Sequence, residues 1–141
     1  MKMNLFESAV MIVDDSSLQR KVLASQIQKI TEWEVIQVED PLECLNVLGK
    51  RNIPLVITDI NMPKMDGLEL LQEIFSLKKG VQVIVMSSGT TVANCVSCFR
   101  HGATDFLPKP IVKSDLESVF NTVLARLQRW EKLISLGHKK D

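Results

Sequence analysis

The chain has 141 residues, 45% of them hydrophobic, which is the size and composition of one domain with a well-buried core. Lysine plus arginine and aspartate plus glutamate both number 17, so the formal net charge is zero and no broad nucleic-acid or membrane surface is indicated. The opening MKMNLFESAV lacks the apolar core of a signal peptide and the roughly 20 apolar residues of a membrane span. Its 3 cysteines, an odd count, argue against a disulfide framework, so a cytoplasmic location with free thiols is expected.

The first predicted strand runs from Ala9 to Val13. Ser16 with Gln19 then forms a capping box for a first helix, whose apolar face is Leu23, Ile27 and Ile30. A second strand is expected over Glu34 to Val38. Asp40-Pro41-Leu42-Glu43 supplies a cap, a first-turn proline and an acidic third position for a second helix, with Gly49 near its end, where a left-handed residue is often needed. The third strand is Leu55 to Thr58, followed by a helix with Leu68, Leu71 and Phe75 on one face. The fourth is Val81 to Met86, and the helix after it ends near Gly102. That helix holds Cys95 and Cys98, a C-x-x-C without the strand-to-helix setting of a redox motif, so it reads as two small helix residues. The fifth strand is Thr104 to Leu107.

Val10 to Val13 and Val83 to Met86 are apolar without alternation, as parallel strands covered on both faces are. Strand and helix alternating in this way predict a doubly wound α/β domain with right-handed crossovers. In such sheets ligands bind beyond the carboxyl ends of the strands. Those ends carry Asp14-Asp15, Asp59, Ser87-Ser88 and Lys109-Pro110. Singly, each has an ordinary reading as a cap, a turn former, a loop hydroxyl or a surface charge. Together they bring three carboxylates, a hydroxyl and an ammonium to one crevice, where like charges need a cation. Phosphoryl transfer suits such a cluster: a carboxylate serves as nucleophile, and an all-oxygen ligand set favours Mg²⁺.

IVDDSS at Ile12 to Ser17, ITDINMPKMDGLEL at Ile57 to Leu70, VIVMSSG at Val83 to Gly89 and GATDFLPKP at Gly102 to Pro110 stand in the order found in a known family. From about Ala9 to about Leu127 the chain resembles the response-regulator receivers of bacterial two-component systems. The resemblance implies a five-stranded parallel sheet in the flavodoxin-like order 2-1-3-4-5 with five helices, the last extended. It implies that Asp59 is the phosphoacceptor and that Asp15, Asp59 and the backbone carbonyl of Asn61 bind Mg²⁺, with Asp14 helping through water. It further implies that Ser87 and Lys109 contact the phosphoryl group and that the Lys109-Pro110 peptide is cis. Gly67 would supply a backbone conformation for the loop into the third helix, Met62-Pro63 would shape the lip beside Asp59, and Asn61 and Gly89 would influence phosphoryl lifetime.

The same resemblance implies a sensor histidine kinase as phosphodonor and a switch in which Ser87 moves and Phe106 turns inward. The surface altered would be the fourth helix, fifth strand and fifth helix, which would meet an unknown effector or a second copy. The last helix carries Leu116, Phe120, Val123, Leu127, Trp130 and Ile134 at heptad spacing, and from about Gln128 the stripe is expected to outrun the domain. A dimer through this helix, a lead into an output domain, or a helix end folded back would each cover it. Residues 1-127 are therefore read as the receiver and 128-141 as a helical extension whose last residues, Gly137 to Asp141, form a frayed tail; the chain is a stand-alone regulator or an excised receiver.

Two other classes compete. A haloacid-dehalogenase-like phosphatase would need a second Asp two residues after the first, where this chain has Asn61, so turnover of outside substrates is not expected. A binding-only pseudo-receiver would lack some of Asp14, Asp15, Asp59 and Lys109. No glycine-rich loop follows the first strand, which disfavours a dinucleotide site.

Overall fold

The computed structural model describes residues 5–89 and 91–140. The elements alternate as β1 (Ala9–Val13), α1 (Ser17–Gln28), β2 (Glu34–Val38), α2 (Pro41–Lys50), β3 (Leu55–Asp59), α3 (Gly67–Ser76), β4 (Gln82–Ser87), α4 (Val92–Arg100), β5 (Asp105–Pro108) and α5 (Lys113–Lys140). All strand pairs are parallel, in the order β2-β1-β3-β4-β5. β1, β3 and β4 are buried at every position, as the unalternating sequences of β1 and β4 predicted.

Successive residues of these strands face opposite layers. Val10, Ile12, Ile57 and Ile84 pack against Leu23 and Ile27 of α1 and Leu116, Phe120 and Val123 of α5. Met11, Val13, Val56 and Val83 pack instead against Cys44 and Leu48 of α2 and Leu70, Leu71 and Ile74 of α3. A smaller cluster of Ile60, Val85 and Cys98 lies on the α4 side, with Phe106 half-buried against it. Burying each of the larger side chains stabilises the fold by roughly 1.5–3 kcal/mol before entropy is set against it.

Several local expectations change. β3 runs one residue further than predicted, and β4 and β5 are each shifted one residue towards the C-terminus, because Asp59 pairs with Met86 and Ser87 with Pro108 in the ladder. Gly49 lies inside α2, which ends at an extended Arg51, so no left-handed residue is needed there. Gly102 does take the left-handed form, at φ 89°. Phe75 is 40% exposed, and Ile74 takes the core position expected of it. Phe75 instead lies against Gly102, where an added Cβ would sit 2.8 Å from its ring. The Ser16–Gln19 capping box is half formed. The Gln19 N–H donates to Ser16 Oγ at 3.3 Å, but the Ser16 N–H donates to Asp14 Oδ1, leaving the Gln19 side chain for another partner.

α5 has 28 residues and so spans about 42 Å. Leu116, Phe120, Val123 and Leu127 are buried, whereas Trp130 is 54% exposed and Ile134 half-buried. These last two line a cavity with Leu5, Phe6 and Phe75 beside the start of β4. The helix continues to Lys140, where a frayed tail was expected from Gly137 onward; Asp141 lies outside the described residues. Among the described residues no helix is long and apolar enough to cross a membrane.

Candidate functional site

Because every strand is parallel, the residues leaving β1, β3, β4 and β5 emerge at one edge, where the polar groups picked out in the sequence gather. Asp14, just after β1, is 1% exposed. Its Oδ1 accepts from the Ser16 N–H at 2.9 Å, while its Oδ2 is buried without a hydrogen-bond partner. Burial pushes the Asp14 carboxyl above the ordinary carboxylate range. The Ser16 N–H and Lys109 oppose that rise, and the charges of Asp59 and Asp15 add to it. Arg20, one turn into α1, donates through Nη1 to the Asp14 carbonyl at 2.6 Å and fixes the loop.

Asp59, the last residue of β3, is 8% exposed. One carboxylate oxygen accepts from the Asn61 N–H at 2.9 Å, and the other from Lys109 Nζ at 2.5 Å. Lys109 leaves β5 beside the end of β4, its own N–H donating to the Ser87 carbonyl at 2.9 Å. The Lys109–Pro110 peptide is cis, as expected. The ammonium lies 3.5 Å from Asp14 Oδ2 and also donates to Gln19 Oε1 on α1. A single cation thus bridges the ends of three elements.

Ser87 is 1% exposed, its Oγ accepting from the Gly89 N–H at 2.9 Å; the Gly89 carbonyl in turn accepts from Asn94 Nδ2 of α4 at 2.6 Å. Gly67 owes its identity to space and not to a left-handed backbone. A Cβ there would stand 2.6 Å from the Asp59 carbonyl oxygen and 2.8 Å from the Ile60 Cα, and its N–H donates to the Ile60 carbonyl at 2.9 Å. Met62 and Met65 pack at the rim of the α2–α3 core. The expected grouping is incomplete at one place: Asp15 is exposed and lines a separate depression with Glu39, Asp40 and Lys64. Among the described residues no three acidic, histidine or cysteine side chains stand close enough to hold an ion together. Asn61 is exposed and borders, with Asp14, Asp59, Lys109 and the apolar Leu18 and Val22, the main cleft beside the carboxylates.

The sequence matches the family described as the response regulator receiver domain over residues 10–121. The chain belongs to that family. Among its relatives, the two-component response regulator ORR11 of Oryza sativa subsp. indica is 38% identical to this receiver over 118 residues, 82% of this chain and 80% of the relative. The two-component response regulator ORR5 of Oryza sativa subsp. japonica is 37% identical over 118 residues, 82% of this chain and 87% of the relative. A response regulator receiver domain from Clostridium thermocellum superposes with a TM-score of 0.80 at 25% identity, covering 87% of this receiver and 98% of that chain. The signal receiver domain of a Luxo repressor protein from Vibrio parahaemolyticus shares the fold, with a TM-score of 0.82 at 24% identity over 91% of this receiver and 97% of that chain.

Chemically, this receiver presents a buried carboxylate whose two oxygens are already held, an ammonium able to neutralise charge beside it, and an orphaned buried oxygen on Asp14. That orphan, in an all-oxygen donor set, fits a hard divalent cation. Gln19 was legible only as half of a helix cap, and nothing in the sequence marked Arg20 or Asn94 as part of the site. The Gln19 partner is set by the meeting of two elements, Gln19 and Lys109 being 90 positions apart, whereas Arg20 and Asn94 each reach back to a carbonyl of the strand-end loop before their own helix.

Proposed function

We propose that this receiver accepts a phosphoryl group on Asp59 from a sensor histidine kinase in a Mg²⁺-dependent reaction and signals through its α4-β5-α5 surface. The observation that carries this reading is the state of Asp59: buried at a strand end, oriented by the Asn61 N–H at 2.9 Å and paired with Lys109 at 2.5 Å. A carboxylate held in this way is a positioned nucleophile. One of its oxygens forms a bond to phosphorus as the donor's P–N bond breaks, and the departing imidazole keeps the electron pair and takes up a proton. The three phosphoryl oxygens then need cationic or N–H partners, a role for Lys109 and, after rotation, the Ser87 hydroxyl.

Asp15, Asp59 and the Asn61 carbonyl would hold Mg²⁺, with Asp14 acting through water. Bound there, the ion would offset the repulsion between the carboxylates and an incoming phosphoryl group. The buried Asp14 oxygen without a hydrogen-bond partner supports this assignment. The donor would dock on Leu18 and Val22 of α1, 70% and 53% exposed beside the cleft. An apolar patch at that place suits a helix carrying the phosphohistidine.

The signal would leave through the Ser87–Gly89–Asn94 chain, which joins the end of β4 to α4, and through Phe106, half-buried against Ile60, Val85 and the α4 residue Cys98. Val92 and Phe99, 81% and 80% exposed on α4, offer that surface to an effector or a second copy. The division at residue 127 belongs to the same reading: the extension beyond it would lead into an output segment or pair with its counterpart in a dimer. The chain is a signalling phosphoacceptor limited to its own phosphorylation and autodephosphorylation.

The test is intact mass after incubation with acetyl phosphate and Mg²⁺. The wild type should gain one acid-labile phosphoryl group and Asp59→Asn none. Absence of any gain in the wild type, with donor and metal present, would leave the binding-only pseudo-receiver as the better account.

A further inference from the structure

Lys109 has a ligand that the phosphoacceptor reading does not use. Its ammonium, on a four-carbon stem, is held by two carboxylates of the site and by the Gln19 side chain. Gln19 is the residue whose backbone N–H completes the helix cap on Ser16, and a glutamine there ordinarily folds back onto the cap residue's N–H. Here that N–H is already taken by Asp14 Oδ1, and the amide oxygen turns across the cleft to Lys109 instead. We infer that Gln19 is a positioning residue for phosphoryl transfer, fixing the Lys109 ammonium over Asp59 with an uncharged ligand from a third element.

With carboxylate partners alone, the ammonium would be drawn between Asp59 and Asp14, the two negative charges flanking it, and away from the position of a phosphoryl oxygen. A neutral acceptor on α1 adds a restraint without adding to the negative charge that an anionic donor must approach. It also removes rotamer freedom from a long side chain that would otherwise have to be ordered in the transition state. An ammonium has three N–H groups. Asp59 takes one and Gln19 another, so when phosphorus is bonded to Asp59 the Gln19 contact can persist while the first is passed to a phosphoryl oxygen. Gln19 also lies between Leu18 and Val22 in sequence, both exposed along the cleft, so a donor seated on them would press on this contact.

The inference rests on Asp59 being the acceptor. The experiment compares initial rates of phosphorylation by acetyl phosphate and Mg²⁺ for the wild type, Gln19→Met, Lys109→Met and the double variant. Methionine matches glutamine in length but accepts hydrogen bonds poorly. Gln19→Met should be slowed roughly tenfold with an unchanged melting temperature. In the Lys109→Met background the same substitution should cost nothing further, because a residue acting only through Lys109 is silent once Lys109 is gone. A Gln19→Met rate within twofold of the wild type overturns the inference, and so does an equal slowing in both backgrounds, which would mean that α1 itself was disturbed. If Gln19→Met loses its fold, Gln19→Ala carries the same comparison. A wild type that gains no phosphoryl group overturns the acceptor reading, and this inference with it.

Discussion

Asp14→Asn tests the electrostatics of the site without touching Asp59, the proposed acceptor. The substitution is isosteric, keeps an oxygen for the Ser16 N–H, and replaces the orphaned Oδ2 with an uncharged NH₂. Two effects oppose each other. The charge on Asp14 attracts Lys109 at 3.5 Å, but it is buried, 1% exposed, and is repelled by Asp59 and Asp15. The upward displacement of its pKa, with burial as the leading cause, says that the charged form is worse off folded than unfolded. Removing the charge should therefore stabilise the metal-free protein, but only by about 1 kcal/mol, because the NH₂ put in place of Oδ2 is itself buried without an acceptor and faces the Lys109 ammonium. For a chain of this length that is roughly 3–4 °C in Tm per kcal/mol. The sign with pH follows from the raised value: ionised Asp14 costs stability above its folded pKa, and the cost fades as pH falls towards the unfolded value. The gap between variant and wild type should thus be open at pH 7 and closed below about pH 4. Mg²⁺ should narrow the gap and then reverse it as its concentration rises, since a ligand at a hundred times its dissociation constant adds about 2.7 kcal/mol to the protein that binds it. The assay is thermal unfolding from pH 4 to 8 with Mg²⁺ or a chelator. A metal-free Asp14→Asn less stable than the wild type at pH 7 would refute the reasoning, because attraction to Lys109 would then outweigh burial.

Two further outcomes are expected. Gly67→Ala should lose about 2–4 kcal/mol of stability in a denaturant titration, because its Cβ would meet backbone at 2.6 and 2.8 Å where no rotamer can give way. It should also slow phosphorylation, since the atom struck is the Asp59 carbonyl. Native thiol labelling followed by mass mapping should find Cys95 first: Cys44 is fully buried with its thiol pushed up to about 12 by that burial, and Cys98 is 2% exposed with its thiol also raised. Equal labelling of all three would mean that α2 or α4 opens far more readily than its packing implies.

The sequence carried the architecture because parallel strands buried on both faces are written as unbroken apolar runs, and because caps such as Asp40 and Ser16 act on neighbours two or three residues away. The strand-end residues were legible for a related reason: parallel topology alone forces the exits of β1, β3, β4 and β5 to one edge. What it could not carry is how those groups divide their partners. Nothing local says that Ser16 spends its N–H on Asp14, and without that fact Gln19 reads as half of a cap. Gly67 was correctly picked out but for a conformational reason, since the approach of a loop to the Asp59 carbonyl depends on where α3 docks. Phe75 was misplaced because helical spacing admits it and Ile74 almost equally, and the bare surface of Gly102 decided between them.

That division of partners also bears on how the site is held before it reacts. Among the described residues the three carboxylates do not close on a common point; Lys109 stands between two of them and Asp15 faces outward. An ammonium there neutralises in part what a divalent ion would neutralise more fully, so the fold can form with the Asp59 side chain oriented before metal arrives. If so, Lys109→Met should harm the metal-free protein more than the Mg²⁺-bound one, because only the first depends on the ammonium to separate Asp14 from Asp59. Thermal unfolding of Lys109→Met with chelator and with Mg²⁺ measures this. An equal loss under both conditions would mean that the lysine serves the phosphoryl group alone and takes no part in holding the unreacted site.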